Sequence, residues 1–431
     1  GTHDPKTVQK FLDKVATDIT YGPKPAEVGV VDGQVTIVHE STLGRQLDMV
    51  AARRQLNSEV DKHSSFDLNV PLQFPSSPIS HDVAQQAVDQ AQNLLSQPVY
   101  FSSLAKVRAW YLKPSQLVHL LTFAPRQDPT KGWIVGIGLN TKKLAGTMAP
   151  IAAAVNHAPV PAYFKFVEAA NGQPDTAVPY PDSPGLAINI KKAAQAILAS
   201  PSNGHTAVIP FDHPLAKFTL ADARTLNLDT LLGKGVADLT GSGRKRVANA
   251  QAASGMLDSI RLAPGQTLSV TTVITPVAKA NGFVPEEGGF GLKYDISGTN
   301  GGPNQVASAL FQAAYKAGLT IVQRASYPNV TTFNGLPGTD AIVHARPHGA
   351  DLRFVNNTNQ VILVGTVVSN GYVTGYVFDN SATHRITATT GPIVTLNQDG
   401  TIDAQIGRTV SGDRSQQDHV QTHYNNISQY P

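Results

Sequence analysis

The residues best suited to chemistry lie in a glycine-rich segment that leads into a predicted helix, within residues 293–318. Gly301 and Gly302 precede Asn304 and Gln305, and apolar residues then recur at helical spacing. The free amides at such a helix start can bind an anion or lower the pKa of a thiol. The chain has no cysteine, so no thiol is available. Asn304 is therefore predicted to cap the helix by accepting a hydrogen bond from an amide of the first turn.

The sequence around this helix resembles the VanW family. GGPNQVASALFQAAYKAGLTIVQR, at residues 301–324, is similar to the central motif of that family, in which glycines precede Cys-Gln and a Leu-Tyr/Phe-x-Ala helix. Three further segments resemble the family's L-x-P-G-E-x-F-S, G-x-D-A-T-V and D-L-K-F-x-N: LAPGQTLS (262–269), GTDAIV (338–343) and DLRFVN (351–356). The family's cysteine corresponds to Asn304.

The resemblance implies a binding site formed by the motif loop, the helix start and the segments that follow. Its candidate residues are Gly301, Gly302, Asn304, Gln305, Ser308, Arg324, Asp340 and His344. We assign no catalytic residue, no metal ligand and no cofactor. His344 would suit the histidine of a papain-like cysteine hydrolase, but asparagine cannot replace the attacking thiolate. His344 and His348 with nearby aspartates lack the spacing of a preorganised metal site.

The N-terminal half contains two copies of one unit. Residues 8–70 and 144–211 each read as helix, strand, short strand, helix and strand, which predicts helices packed on one sheet face. The pattern resembles a tandem domain whose name refers to peptidoglycan binding and which commonly precedes a VanW domain. Only the second copy has an upstream portion, at residues 99–137. The first copy is therefore expected to have an open sheet edge, which could recruit a strand from another chain.

The predicted fold class is α+β, with two repeated α+β units followed by a VanW-like domain of one helix and an antiparallel sheet. The strands of that sheet are predicted to include residues 340–344. Residues 227–247 are interpreted as a linker with a basic cluster. The predicted boundaries are 1–81 for the first unit, 82–98 for a connecting helix, 99–230 for the second unit, 231–383 for the VanW-like domain and 384–431 for a C-terminal hairpin and tail packed on it.

Composition and charge limit the classes of function and partner that the sequence predicts. Charged residues make up 15% of the chain and the formal net charge is +3, which does not predict nucleic-acid binding. No apolar run is long enough to cross a bilayer, so membrane contact would need an anchor before Gly1. The first repeat begins partway through its unit, which favours an export segment already removed.

We therefore expect an extracellular or cell-surface protein that associates with peptidoglycan or another wall polymer without catalysis. One alternative is a structural surface protein that assembles into a layer or filament. The other is a hydrolase or transferase that modifies the wall.

Overall fold

The computed structural model is a mixed fold of helices and sheets, so the predicted α+β class is confirmed. Contacts group the chain into two compact units, Gly1–Pro159 with Pro184–Leu215, and Val160–Ser183 with Ala216–Pro431. This grouping divides residues 99–230, which the sequence placed in one domain. The glycine loop before Gly301 and His348 fall outside the described residues, which are 4–60, 69–102, 110–169, 175–279, 283, 301–331, 333–344, 349–380, 386–411 and 415–426.

The first copy of the repeat begins with a helix that Asp4 caps, accepting a hydrogen bond from the Lys6 amide at 3.1 Å. The next strand turns back through Asp32 and Gly33, both at positive φ, the conformation that a two-residue hairpin turn needs. The elements of this copy are α1 (Pro5–Ile19), β1 (Glu27–Val31), β2 (Gln34–His39), β3 (Gln46–Leu47), α2 (Met49–Val60), β4 (Leu72–Gln73) and α3 (His81–Leu95).

A segment of short strands and one long hairpin follows, and then the second copy. Asn140 caps the first helix of that copy by accepting from the Lys143 amide at 3.0 Å. The elements are β5 (Val99–Phe101), β6 (Tyr111–Leu112), α4 (Pro114–Leu117), β7 (Leu121–Asp128), β8 (Gly132–Leu139), α5 (Thr141–Val155), β9 (Tyr163–Val167), β10 (Thr176–Tyr180), β11 (Ala187–Ile188), α6 (Ile190–Ala199), β12 (Thr206–Ala207), β13 (Phe211–Asp212) and α7 (Leu220–Leu226).

The two copies share both the order of their elements and their backbone pairing, as the repeat predicts. Each has a helix, a hairpin, a short strand, a second helix and a returning strand. Equivalent bridges flank the hairpins, Tyr21 with Arg45 and Lys24 with Thr42 in the first copy, His157 with Leu186 and Val160 with Ser183 in the second.

The helix predicted as a connector belongs to the repeat. Ala26 donates to Ile79 just before α3, and Ala162 donates to Phe218 just before α7, both at 2.9–3.0 Å. In each copy the helix and the hairpin then pack against the strands of a further hairpin. For the first copy these strands are β7 and β8.

The second copy's hairpin, β9 and β10, packs within the other unit against a four-stranded antiparallel sheet. Phe166 on β9 stacks on Tyr376, with ring centroids 5.2 Å apart. A Cβ at Gly365 would lie 2.0 Å from the Phe166 ring, so the ring occupies the space that the glycine leaves open. The hairpin and the sheet therefore form one small core with α7.

The four-stranded sheet has the order β14-β20-β19-β15, and a separate three-stranded sheet has the order β16-β18-β17. The sequence predicted one antiparallel sheet here, and the structure has two. Their elements and the helices between them are β14 (Thr230–Asp238), α8 (Arg244–Met256), β15 (Ile260–Leu262), β16 (Thr267–Ser269), α9 (Val270–Lys279), α10 (Gly301–Lys316), β17 (Thr320–Gln323), β18 (Arg353–Val355), β19 (Ile362–Ser369) and β20 (Tyr372–Asp379).

Two local predictions in this unit are wrong. Residues 227–247 are no linker, because they form β14, which pairs along its length with β20, and the start of α8. Residues 340–344 form no strand: Ile342 makes one isolated bridge to Ala325. The segment is held by side-chain hydrogen bonds, described below.

The C-terminal residues form a three-stranded antiparallel sheet in the order β21-β22-β23, where a hairpin and an extended tail were predicted. Its strands are β21 (Ile386–Leu396), β22 (Ile402–Ser411) and β23 (Gln416–Tyr424). Tyr424 at its end is buried against the preceding domain. None of the described helices has the length and apolarity that crossing a bilayer requires.

We predict that Gly44→Ala and Gly185→Ala lower the stability of the fold by similar amounts, about 1–3 kcal/mol each. A Cβ at Gly44 would lie 2.7 Å from the Pro23 nitrogen, and one at Gly185 would lie 2.7 Å from the His157 carbonyl oxygen. Both obstacles are backbone atoms, which cannot rotate away. Denaturant unfolding measures the effect.

The matched controls are Gly22→Ala and Gly146→Ala, since no heavy atom lies within 4 Å of a Cβ at either position. Gly146 is in α5, where alanine favours the helix by up to about 1 kcal/mol. If Gly44→Ala and Gly185→Ala unfolded like these controls, the close backbone approach at this bend would be refuted, and clearly unequal losses would refute the equivalence of the two copies there.

Candidate functional site

The site is built on α10, whose residues from Gly302 to Tyr315 are all buried. One side packs on the glycines of β14 and β20: a Cβ at Gly235 would lie 2.1 Å from the Ala309 carbonyl oxygen. The first turn of α10 packs closely on α8. A Cβ at Gly302 of α10 would lie 2.4 Å from the carbonyl oxygen of Arg246 on α8. The helix is surrounded by protein, so its polar side chains need protein partners.

The Asn304 side chain has a hydrogen-bond partner at each end of its amide. Its Nδ2 donates to the Tyr327 hydroxyl at 2.8 Å, and its Oδ1 accepts from the Val343 amide at 2.9 Å. The helix begins at Gly301, so Asn304 lies inside the first turn. The prediction that Asn304 caps the helix is wrong: its side chain joins the helix to residues 327 and 343.

Asp340 is the second centre of the site. One carboxylate oxygen accepts from the Tyr327 amide at 2.7 Å, and the other accepts from the Arg324 guanidinium at 3.0 Å and from the Tyr424 hydroxyl. The side chains of Arg324 and Asp340 are each 8% exposed, so the ion pair is buried. Such a pair is strongly destabilised when one partner is removed, because the other charge is left buried.

Ser308 is one helical turn from Asn304 and connects the same helix to the same segment. Its hydroxyl accepts from the Ala341 amide at 2.9 Å and lies 2.8 Å from the Asn304 carbonyl oxygen. Asn304 and Ser308 therefore hold residues 341–343 against α10 without a strand ladder.

The other predicted residues lie apart from this network. Gln305 faces away from it and donates to the Asp238 carbonyl at the end of β14, at 2.6 Å. Gly301 and Gly302 form the first turn against α8. His344 directly follows Val343, and its amide donates to the Ala350 carbonyl at 2.8 Å. Of the eight predicted residues, the structure thus joins Asn304, Ser308, Arg324 and Asp340 in one hydrogen-bonded cluster.

Residues 245–378 match the protein-family model described as VanW like protein. They include α10 with its glycines and every member of the cluster except those on β23. These residues form a VanW-like domain. The chain is also 34% identical over 134 residues to the uncharacterized protein YoaR of Bacillus subtilis (strain 168), a match that spans 31% of this chain and 43% of that protein. No solved structure matches the chain.

The VanW-like domain is completed by residues beyond the matched segment. Tyr424 donates to Asp340 and accepts from the Gly338 amide at 2.6 Å, and the Thr422 hydroxyl accepts from Arg324 at 2.9 Å. Both residues lie on β23. Sequence reasoning expected the tail to pack back on the sheet, but it did not find these contacts. It also missed Tyr327, which no pattern around the helix marks.

The cluster in the VanW-like domain holds α10 against the segments that follow it. Burial raises the pKa of Tyr327 to about 12, so its phenol stays neutral at physiological pH. Asn304 supplies a neutral amide where the resemblance places a thiol. Among the described residues, no group of three or more histidines and carboxylates could hold a metal ion.

We predict that Asn304→Ala lowers the free energy of unfolding of the VanW-like domain by about 1–3 kcal/mol, because the buried Val343 amide loses this acceptor. Denaturant unfolding measures the loss. The matched control is Asn359→Ala, at an exposed position between β18 and β19, where a change within about 0.5 kcal/mol is expected. Equal stability of the two variants would mean that the Asn304 hydrogen bonds do not hold the fold.

Proposed function

We propose that this chain is an extracellular cell-envelope protein that binds peptidoglycan or another wall polymer and acts without catalysis. The observation that carries the proposal is the pair of matched repeat units before a VanW-like domain, the arrangement that the resemblance connects with the cell wall.

The burial and hydrogen bonding of Asn304 support a binding role. A hydrolase of the papain-like kind needs a nucleophile that substrate can reach, together with a base beside it. Asn304 is 5% exposed, and both ends of its amide are used in hydrogen bonds within the VanW-like domain. The position is therefore occupied by a structural contact.

An exposed aromatic pair in the segment between the two repeat copies suits contact with a polymer. Tyr100 on β5 and Tyr111 on β6 are 48% and 43% exposed, and their ring centroids lie 5.5 Å apart. Exposed tyrosines supply a large apolar surface at a low entropic cost together with a polar hydroxyl, which is why tyrosine is enriched at binding surfaces.

A structural role in a surface layer or filament is the second candidate. The self-association expected for the first repeat has a counterpart at β21, one of the two outer strands of the C-terminal sheet in the described residues. Its sequence ITATTGPIVTL has no charged residue, and Ile386, Ile393 and Leu396 are each more than 60% exposed. Long, uncharged and apolar edge strands favour pairing with another chain.

We predict that the chain sediments with purified cell-wall sacculi and releases no soluble wall fragments. Tyr100→Ala combined with Tyr111→Ala should weaken binding at least about thirtyfold, since hot-spot tyrosines contribute more than about 1 kcal/mol each. Measuring the bound fraction over a range of sacculus concentrations gives the affinity.

The matched control combines Tyr21→Ala with Tyr372→Ala, two exposed tyrosines that do not form a ring pair with each other. Binding should be unchanged in this control. Absence of sedimentation would refute the wall-binding proposal, and release of fragments by the wild-type chain would favour a wall-modifying enzyme. A chain that forms concentration-dependent polymers without binding sacculi would favour the structural role.

A further inference from the structure

A cavity of about 290 Å³ opens between the C-terminal half of α10 and the first half of β21. Its walls also include the loop at residues 335–339 and one residue of β22. The volume is at the lower end of the range for small-molecule sites, about 300–1,000 Å³. The cavity is separate from the Asn304 cluster, which lies at the other end of α10.

The floor of the cavity is neutral and largely apolar. Phe311 is fully buried, and Gln312 uses its amide to accept from Val236 at 3.1 Å and to donate to Asn334 at 3.0 Å. The Tyr315 hydroxyl donates to the Ile406 carbonyl at 3.2 Å. Burial raises the pKa of Tyr315 to about 12, so the floor carries no negative charge from this group.

The rim carries one cation without a carboxylate partner in the described residues. The Lys316 ammonium donates to the Lys234 carbonyl oxygen at 3.1 Å and makes no ion pair there. In contrast, Arg324, Arg408 and Lys234 each pair with an aspartate at 3.0 Å or less. Partial burial lowers the pKa of Lys316, as expected for a desolvated cation that lacks a counter-ion. An ammonium has three donors, so two remain for a ligand.

The opposite rim offers one hydroxyl group. Thr389 of β21 pairs with Arg408, whose side chain reaches α10, so Thr389 lies on the same face of the sheet as the cavity. Its hydroxyl makes no hydrogen bond within the described part of the chain. Leu336, which is 61% exposed, and Pro392 supply apolar surface at the mouth. The cavity therefore combines a single positive charge, one hydroxyl and an apolar mouth.

We propose that this cavity binds the carboxylate end of a short peptide, with the carboxylate on Lys316, a hydrogen bond to Thr389, and a small apolar side chain against Leu336 and Pro392 at the mouth. The choice of a peptide carboxylate as the ligand rests on the proposed function, since a wall polymer with peptide stems presents such ends. A carboxylate fits better than a phosphate, because phosphate sites use arginine forks, several cations or a helix N-terminus. The end of α10 at this cavity is its C-terminus.

The test titrates the full chain with acetyl-alanyl-alanine and, in parallel, with its C-terminal amide, which has the same shape without the charge. Calorimetry or chemical shifts give the affinities. The acid should bind at least about tenfold more tightly than the amide, the usual effect of one charge-assisted hydrogen bond. Acetate, which supplies the carboxylate alone, should bind at least about tenfold more weakly than the peptide acid, since it leaves the apolar surface at the mouth uncovered.

Lys316→Met should abolish the preference for the acid, because methionine keeps an unbranched, flexible side chain but has no charge. Thr389→Val should weaken binding of the acid severalfold, since its hydroxyl contributes a neutral hydrogen bond. The matched control is Lys217→Met, an exposed lysine of the same unit that does not line the cavity.

Equal affinities for acid and amide, no binding at millimolar concentration, an unchanged preference in Lys316→Met, or acetate binding as tightly as the peptide would each overturn the proposal. The outcome is independent of the wall-binding assay. Sacculus binding without dipeptide binding would overturn this cavity assignment alone, whereas dipeptide binding without sacculus binding would overturn the proposed function alone.

Discussion

The C-terminal unit depends on the burial of α10 with polar side chains on several of its turns. Each of these side chains must find a protein partner, and they find partners on β14 and on the loops at residues 334–343. Asn304 binds Val343, Gln305 binds Asp238, Ser308 binds Ala341, and Gln312 binds both Val236 and Asn334. The helix thus positions β14 and the loops at residues 334–343, and the sheets pack against these segments. Losing one such bond would leave a buried group unsatisfied, which costs more than a typical surface contact.

This constraint explains why asparagine suits position 304. The side chain must accept from a backbone amide and donate to a phenol at the same time, and an amide does both in one plane. A thiol is a weak donor and a weak acceptor, so it would hold the segment at residue 343 less firmly. However, a thiol at position 304 would lie in the first turn of a buried helix, where the thiolate form is favoured. The same backbone can therefore support a structural contact in this chain and a reactive group in a relative.

The sequence was sufficient where a pattern follows directly from local physics. Helical spacing gave α10 and α3, and matched spacing gave the repeat. The same reasoning missed β2, although Asp32 and Gly33 are a recognisable hairpin turn. It interpreted residues 227–247 as a linker because glycines and basic residues dominate there, yet those glycines are what allow α10 to contact β14. Charge and composition indicate how a surface meets solvent. Here the feature that determines the structure is a backbone contact between α10 and the glycines of β14.

The candidate site could be predicted only in part for a related reason. Asn304, Ser308, Arg324 and Asp340 were found because they belong to segments that resemble a known family. Tyr327 and Tyr424 complete the cluster from a loop and from the last strand, 23 and 120 residues after Asn304 in the chain. Their roles depend on how β23 packs, which no local periodicity encodes. The helix start raised the opposite problem: Asn304 is a good cap by residue type, but the helix begins three residues earlier.

The most direct test of this account is the reactivity of a single thiol introduced at position 304. The chain has no other cysteine, so Asn304→Cys can be titrated with a chromogenic disulfide without interference. Asn304 is 5% exposed and lies inside the hydrogen-bonded cluster. The account therefore predicts a thiol that reacts slowly in the folded chain and quickly once denaturant unfolds it. Fast reaction in the folded chain would contradict it by showing that position 304 lies in an open site that the reagent can reach.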